Sequence, residues 1–188
     1  MPGEYRAVWS TAGGGIGYTV FHFATTVDSN AEAQTIANAV RAFFQSLVGL
    51  FPNEVSINFE SEYLNLAADG TLEAVFAVAP PAQVLGTDTS TYNRAAGVRV
   101  DWGTGQIVNG RRLTGRTYLV PVGAGAYDAT GLVTSANATA ILAAANTLIS
   151  ATASTAPLAV WSRTHQVSHV VTTPSVPSKG AILTGRRD

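Results

Sequence analysis

A two-fold α+β sandwich, with two amphipathic helices on one face of a largely antiparallel β-sheet, is predicted by three features of this 188-residue chain. Two segments, 30–50 and 135–150, carry apolar residues at helical spacing. Several short runs alternate in hydrophobicity with a period of two, as strands with differently used faces do. The pairs Asp69-Gly70 and Asn109-Gly110, suited to tight hairpin turns, separate such runs. The order strands, one helix, then a strand hairpin occurs twice, in halves 4–79 and 97–173. The whole, 1–188, reads as a single α+β domain that ends in a Pro/Gly-rich tail at 174–188.

Residues 4–9 and 17–25 are expected to be strands flanking the glycine run Gly13-Gly14-Gly15. Asp28-Ser29-Asn30 stops the second strand, and Ser29 with Glu32 has the spacing of a capping box. Ile36, Val40, Phe43 and Leu47, with Ala33, Ala37, Phe44 and Val48 beside them, make a broad apolar helical face, which Pro52 ends. VSINFESEYLNL and TLEAVFAVA follow as two strands joined at Ala68-Asp69-Gly70. Residues 80–96 lack periodicity and read as a long connection. GVRVDWGTGQIV and RTYLVPV then form a hairpin about Asn109-Gly110. After a small-residue loop, Ser135 is placed to cap a helix marked by Ala138, Ile141, Leu142, Ala145, Leu148 and Ile149. Pro157 opens the strand LAVWSRTH, and 168–172 forms another.

The chain is 46% hydrophobic and only 12% charged, against about a quarter in ordinary domains. A surface so poor in charge suits a subunit largely covered by neighbours. The net charge of −1 hides an asymmetry. Residues 1–94 hold nine acids and three arginines, a net −6, whereas residues 95–188 hold three acids and eight basic residues, a net +5. Ten of the eleven basic residues are arginines, whose planar forks suit interfaces better than lysine. With no cysteine, the chain has neither a disulfide framework nor a thiolate site. No segment has the roughly 18 unbroken apolar residues of a membrane helix. The first residues, MPGEYRAVWS, have no signal-peptide pattern, so a soluble, membrane-free protein made inside a cell is expected.

Few residues invite a chemical role. TAGGGIG leads into a strand without the Lys-Ser/Thr of a phosphate loop, so a hairpin turn is expected there. His165 and His169 are four apart but in a strand region, where they are about 13 Å apart and cannot share an ion. His22, in an apolar strand, reads as structural. Glu60 and Glu62, two apart on one expected strand, share a face but have no second polar set for acid–base work. A non-enzymatic protein with no cofactor and no metal is the reading. The densest charge is in NGRRLTGRTYLVPVG, where Arg111, Arg112 and Arg116 fall within six residues and Arg99 and Arg163 come from flanking strands. Nucleic acid is the less favoured partner for them, because the net charge is negative and long-range attraction is weak. Contacts to carboxylates or carbonyls of other subunits fit better.

The pattern Gly110, Arg111, Gly115, Arg116, Thr117, Tyr118, Leu119, Pro121 resembles proteins encoded among the structural genes of tailed bacteriophages. The layout is similar to theirs as well, across nearly the whole chain. It includes an Ala-rich helix, Pro80-Pro81 with Gln83 and Val84, a second Ala-rich helix, a strand at Trp161 to Arg163, and a closing Arg186-Arg187. The tail GAILTGRRD departs from theirs in having few arginines. The resemblance implies a virion component, assembled in the host cytoplasm from copies of itself and other virion proteins. A minor tail, tail-tip or adaptor subunit is the leading expectation. A capsid decoration or minor capsid protein comes second, and a nucleic-acid-binding protein inside the particle third. Arg99, Arg111, Arg112, Arg116, Arg163, Arg186 and Arg187 are the expected interface residues.

Overall fold

The computed structural model describes residues 3–12, 16–89, 96–108, 111–114, 118–121, 134–156 and 161–168. Its class is α+β, with a six-stranded antiparallel sheet, a four-stranded antiparallel sheet and two helices. Strands β1 (Gly3–Thr11) and β2 (Ile16–Phe23) form the first hairpin, with Tyr5 opposite Phe21 and Ala7 opposite Thr19. The helix α1 (Asn30–Ser46) follows. Ser29 Oγ accepts from the Glu32 N–H (3.3 Å), and Glu32 Oε2 accepts in return from the Asp28 N–H (2.7 Å). The expected capping box is therefore present, with its return arm reaching one residue further back. The helix ends at Ser46, and a 3-10 turn at Val48–Leu50 takes up the rest of the expected span.

The expected single strand over 55–66 is two strands. These are β3 (Val55–Phe59) and β4 (Glu62–Leu66), which pair end to end along the same edge of β1. Phe59 lies opposite Ala7 but Leu64 opposite Glu4, so the register slips by two residues at Glu60-Ser61. Glu60 thus sits in the break, where its carbonyl accepts from the Tyr5 hydroxyl (2.9 Å). It lies outside both strands, whereas Glu62 begins β4. The turn at Asp69-Gly70 is as expected: Gly70 has φ +87, and the Ala67 N–H meets the Thr71 carbonyl at 2.8 Å. β5 (Leu72–Ala77) returns antiparallel to β4.

Within the connection expected over 80–96, the described residues 80–89 include a short strand. β6 (Val84–Leu85) pairs with β3. Residues 86–88 then latch onto the loop after α1. Gly86, Thr87 and Asp88 donate to the carbonyls of Val55, Val48 and Phe51 (3.0, 3.1 and 3.0 Å). A Cβ at Gly86 would run into the carbonyls of Pro52 and Phe51, so the close approach demands glycine.

In the second half, β7 (Ala96–Val108) pairs on one edge with β8 (Arg111–Thr114) and β9 (Tyr118–Pro121), and on the other with β10 (Trp161–Ser168). Val108 opposite Arg111 leaves a two-residue connection, matching the hairpin expected about Asn109-Gly110. Helix α2 (Ser135–Thr152) separates β9 from β10. Its cap is Thr134, whose hydroxyl accepts from the Asn137 N–H (3.3 Å). The expected cap, Ser135, is already helical. Each half thus contains a hairpin, a helix and a strand that returns to the far edge of the first strand. The orders are β2-β1-β3 and β9-β7-β10. The expected order of strands, helix and hairpin is present in the first half, where β4 and β5 form the hairpin after α1. In the second half β10 follows α2, and the strand expected at 168–172 lies beyond the described residues after Ser168.

The core lies between α1 and the first sheet. Phe44 anchors it, with rings of Phe21, Phe43, Phe51 and Phe59 at centroid distances of 5.2 to 6.1 Å. α2 packs beside α1 and against β10 and β7, burying Ile141, Ala145 and Leu148, and β9 lies beside β2. Across the molecule the strands therefore run β5/β6, β4/β3, β1, β2, then β9/β8, β7 and β10.

Candidate functional site

The outer edge formed by β5 and β6 concentrates the surface features that side chains can be described for. The exposed large apolar residues among those described are Leu72 (58%), Val75 (47%) and Leu85 (56%), and all lie there. Strand chemistry explains the sequence: β5 reads as an ordinary alternating strand, but with β4 on one side only, its apolar positions stay in water. Glu62 lies opposite Ala77. Glu73 is the extra residue where the β4–β5 register shifts, since Asn65 faces Ala74 and Leu66 faces Leu72. Asp69, in the turn that opens β5, accepts from the Thr71 N–H (3.0 Å) and hydroxyl (2.7 Å), and these bonds hold its carboxyl below the usual carboxylate range.

The polar face of α1 covers the backbone just beyond β5. The Ala77 N–H donates to Asn30 Oδ1 (3.1 Å). The Ala79 N–H donates to Gln34 Oε1 (2.8 Å), and Gln34 Nε2 donates back to the Ala79 carbonyl (3.0 Å). Arg41 Nε donates to the Ala82 carbonyl (3.0 Å), so side chains one, two and three turns apart strap the Pro80-Pro81 segment to the helix. The edge therefore offers side chains more than a free ladder, since its amides near Ala77 and Ala79 are occupied.

On the sheet face away from α1, Glu4 is only 5% exposed. Arg6 lies over it, with Nε at 2.8 Å and Nη2 at 2.7 Å from Glu4 Oε1, and His22 Nε2 is 3.8 Å from Glu4 Oε2. The expected structural role of His22 is consistent with this placement, opposite Glu4 in the β1–β2 ladder. The arrangement neutralises a buried carboxylate and leaves Arg6 half in solvent. Two tyrosines are buried in the same sheet, and burial pushes both phenols well above their ordinary value. A Cβ on Gly3 would collide with the Tyr63 hydroxyl, so glycine there makes room for that ring. Between α1 and α2 an open groove of about 360 Å³ is lined mainly by alanines, with Phe43, Ser46, Thr147 and Leu148. Among the described residues no group of three His, Asp or Glu side chains is placed to hold a metal, and no helix is long and apolar enough to cross a membrane.

Of the seven arginines singled out from the sequence, four lie on described strands and three outside the described residues. Arg99 sits on β7, opposite His165 of β10 and Leu119 of β9. Arg163 on β10 lies opposite Asp101, and Arg111 and Arg112 on β8 lie opposite Val108 and Ile107. Arg116, Arg186, Arg187 and His169 lie outside the described residues, as do the glycine run and the 174–188 tail. Ladder register thus brings Arg99 opposite His165 and Arg163 opposite Asp101 in nearby rows of one sheet. Sequence reading missed the β5–β6 edge altogether. Its signal, an apolar strand followed by Pro-Pro, is the same as that of a buried strand until the strand order is known. Comparison with known protein families, with curated proteins and with solved structures finds no match to this chain.

Proposed function

We propose that the chain is a structural subunit of a tailed-bacteriophage particle, acting through protein–protein contacts as a minor tail, tail-tip or adaptor component. The observation that carries this reading is the clustering of Leu72, Val75 and Leu85 on one sheet edge, an apolar surface rimmed by carboxylates. The sparse charge of the chain and the Gly-Arg hairpin pattern of 110–121, with its resemblance to phage structural proteins, support it. Arg99, Arg111, Arg112, Arg116, Arg163, Arg186 and Arg187 are assigned to contacts with other subunits. A nucleic-acid role is disfavoured by the net charge and by Asp101 in the row of Arg163.

The test is the composition of purified particles from cells that carry this gene. Quantitative mass spectrometry is expected to find the chain at a small fraction of the major capsid protein. A copy number equal to the capsid protein would move it to the shell, and absence from particles would overturn the reading. With Arg111→Ala and Arg116→Ala together, a folded chain that no longer joins particles is expected; normal incorporation would remove the arginines from the interface.

A further inference from the structure

The two outer edges of the molecule are unlike each other. One is formed by β5 and β6, the other by β10, which among the described strands pairs only with β7. The first edge carries the exposed Leu72, Val75 and Leu85 and the carboxylate Glu73, with Glu62 on the adjoining strand β4; neither carboxylate forms an ion pair among the described residues. The strand β10 carries Arg163 and His165 and no carboxylate of its own, with Asp101 of β7 opposite Arg163 and Arg99 opposite His165. The two halves of the chain differ in the same sense, net −6 for residues 1–94 and net +5 for 95–188.

We infer that the β5–β6 edge of one copy docks on the β10 edge of a second copy, so that subunits add head to tail. The inference rests on reading the chain as an assembling subunit and names its partner as another copy of itself. Charge decides between the pairings. Two β5–β6 edges brought together would bring together two copies of Glu73, each with Glu62 on the strand behind it, and two β10 edges would bring together two copies of Arg163. Only the unlike edges are complementary. The extra residue at Glu73 and the amides held by Asn30 and Gln34 interrupt a regular ladder along β5, so apolar side chains and charge carry the contact. A contact between two different surfaces leaves one free edge at each end of a pair. It therefore continues into a ring or a filament instead of stopping at a dimer.

Sedimentation velocity of the purified full chain, across protein concentration and at low and high salt, tests this. The expected result is a mass that grows past the dimer with concentration and falls as salt screens the charges. Leu72→Ser with Val75→Lys, both at exposed positions, is expected to give monomers, and so is Arg163→Glu. If Arg163→Glu lowers the melting temperature, His165→Glu reads the same edge. Mixing a β5 variant with a β10 variant should give dimers and nothing larger, because each variant keeps one intact edge. A wild-type chain that stays monomeric at every concentration overturns the contact. So do β10 variants that associate like wild type, the outcome that a symmetric β5 pairing would give. A chain found in particles yet monomeric in solution sinks only this inference. One that assembles in solution yet is missing from particles sinks only the virion assignment.

Discussion

Single side chains in this protein do work that strands and helices leave undone. Asn65 is the clearest case. Buried on the core side of β4, it accepts from the Val27 N–H (3.1 Å) and donates to the Val27 carbonyl (2.8 Å), imitating a neighbouring strand for a residue that has none. Replacing it by alanine strands a buried donor and a buried acceptor. Each costs about 1–3 kcal/mol when left unpaired. Asn65→Ala is therefore expected to lower unfolding stability by about 3 kcal/mol, read as a lower urea midpoint at unchanged slope. A loss below about 1 kcal/mol would mean that water replaces the amide. Asn65 was not recognisable beforehand, because an asparagine in EYLNL looks like one more outward residue; only the fold reveals that Val27 sits within its reach.

At the scale of elements, α1 serves two masters, with its apolar face building the core and its polar face strapping 77–82. Removing the strap should be felt locally. In Asn30→Ala with Gln34→Ala, amide hydrogen exchange at Ala77 and Ala79 is expected to accelerate at least tenfold while global stability changes by only about 1–2 kcal/mol, since these bonds are exposed. Unchanged exchange at both amides would show that the strap holds nothing. The helices, both hairpins and the Asp69-Gly70 turn were legible from periodicity and turn chemistry. The break between β3 and β4 was not. A slip of two residues preserves side-chain parity, so Val55, Ile57, Phe59, Tyr63 and Asn65 alternate through it as though nothing happened. β6 escaped notice because two residues carry no period. The exposure of Leu72 and Val75 escaped for a different reason, since it is decided by which strand ends up outermost. That is a property of long-range pairing, absent from any local window.

At the scale of the whole molecule, the two hairpin–helix–strand units meet where α2 lies along α1. Leu148 is the large buried side chain of α2 beside the groove there. Leu148→Ala is expected to destabilise the protein by about 2–5 kcal/mol. Because the helix–helix contact weakens more than either unit's own sheet, tryptophan fluorescence and far-ultraviolet circular dichroism should then unfold at different urea concentrations, while they coincide in the wild type. Coincident transitions in the variant would show that the units do not depend on that contact for their cooperativity. The latch at 86–88 bears on the same junction. It moors the chain to the first unit at Asp88, where the Asn53 N–H meets the Asp88 carbonyl at 2.8 Å, and β7 begins at Ala96. Whatever path the intervening residues take, eight steps reach about 28 Å at most. A tether this short keeps the second unit beside the first at an effective concentration on the order of millimolar. The alanine-lined junction between α1 and α2 thus forms as an intramolecular contact, and splitting the chain between Asp88 and Ala96 would turn it into a bimolecular one that depends on concentration.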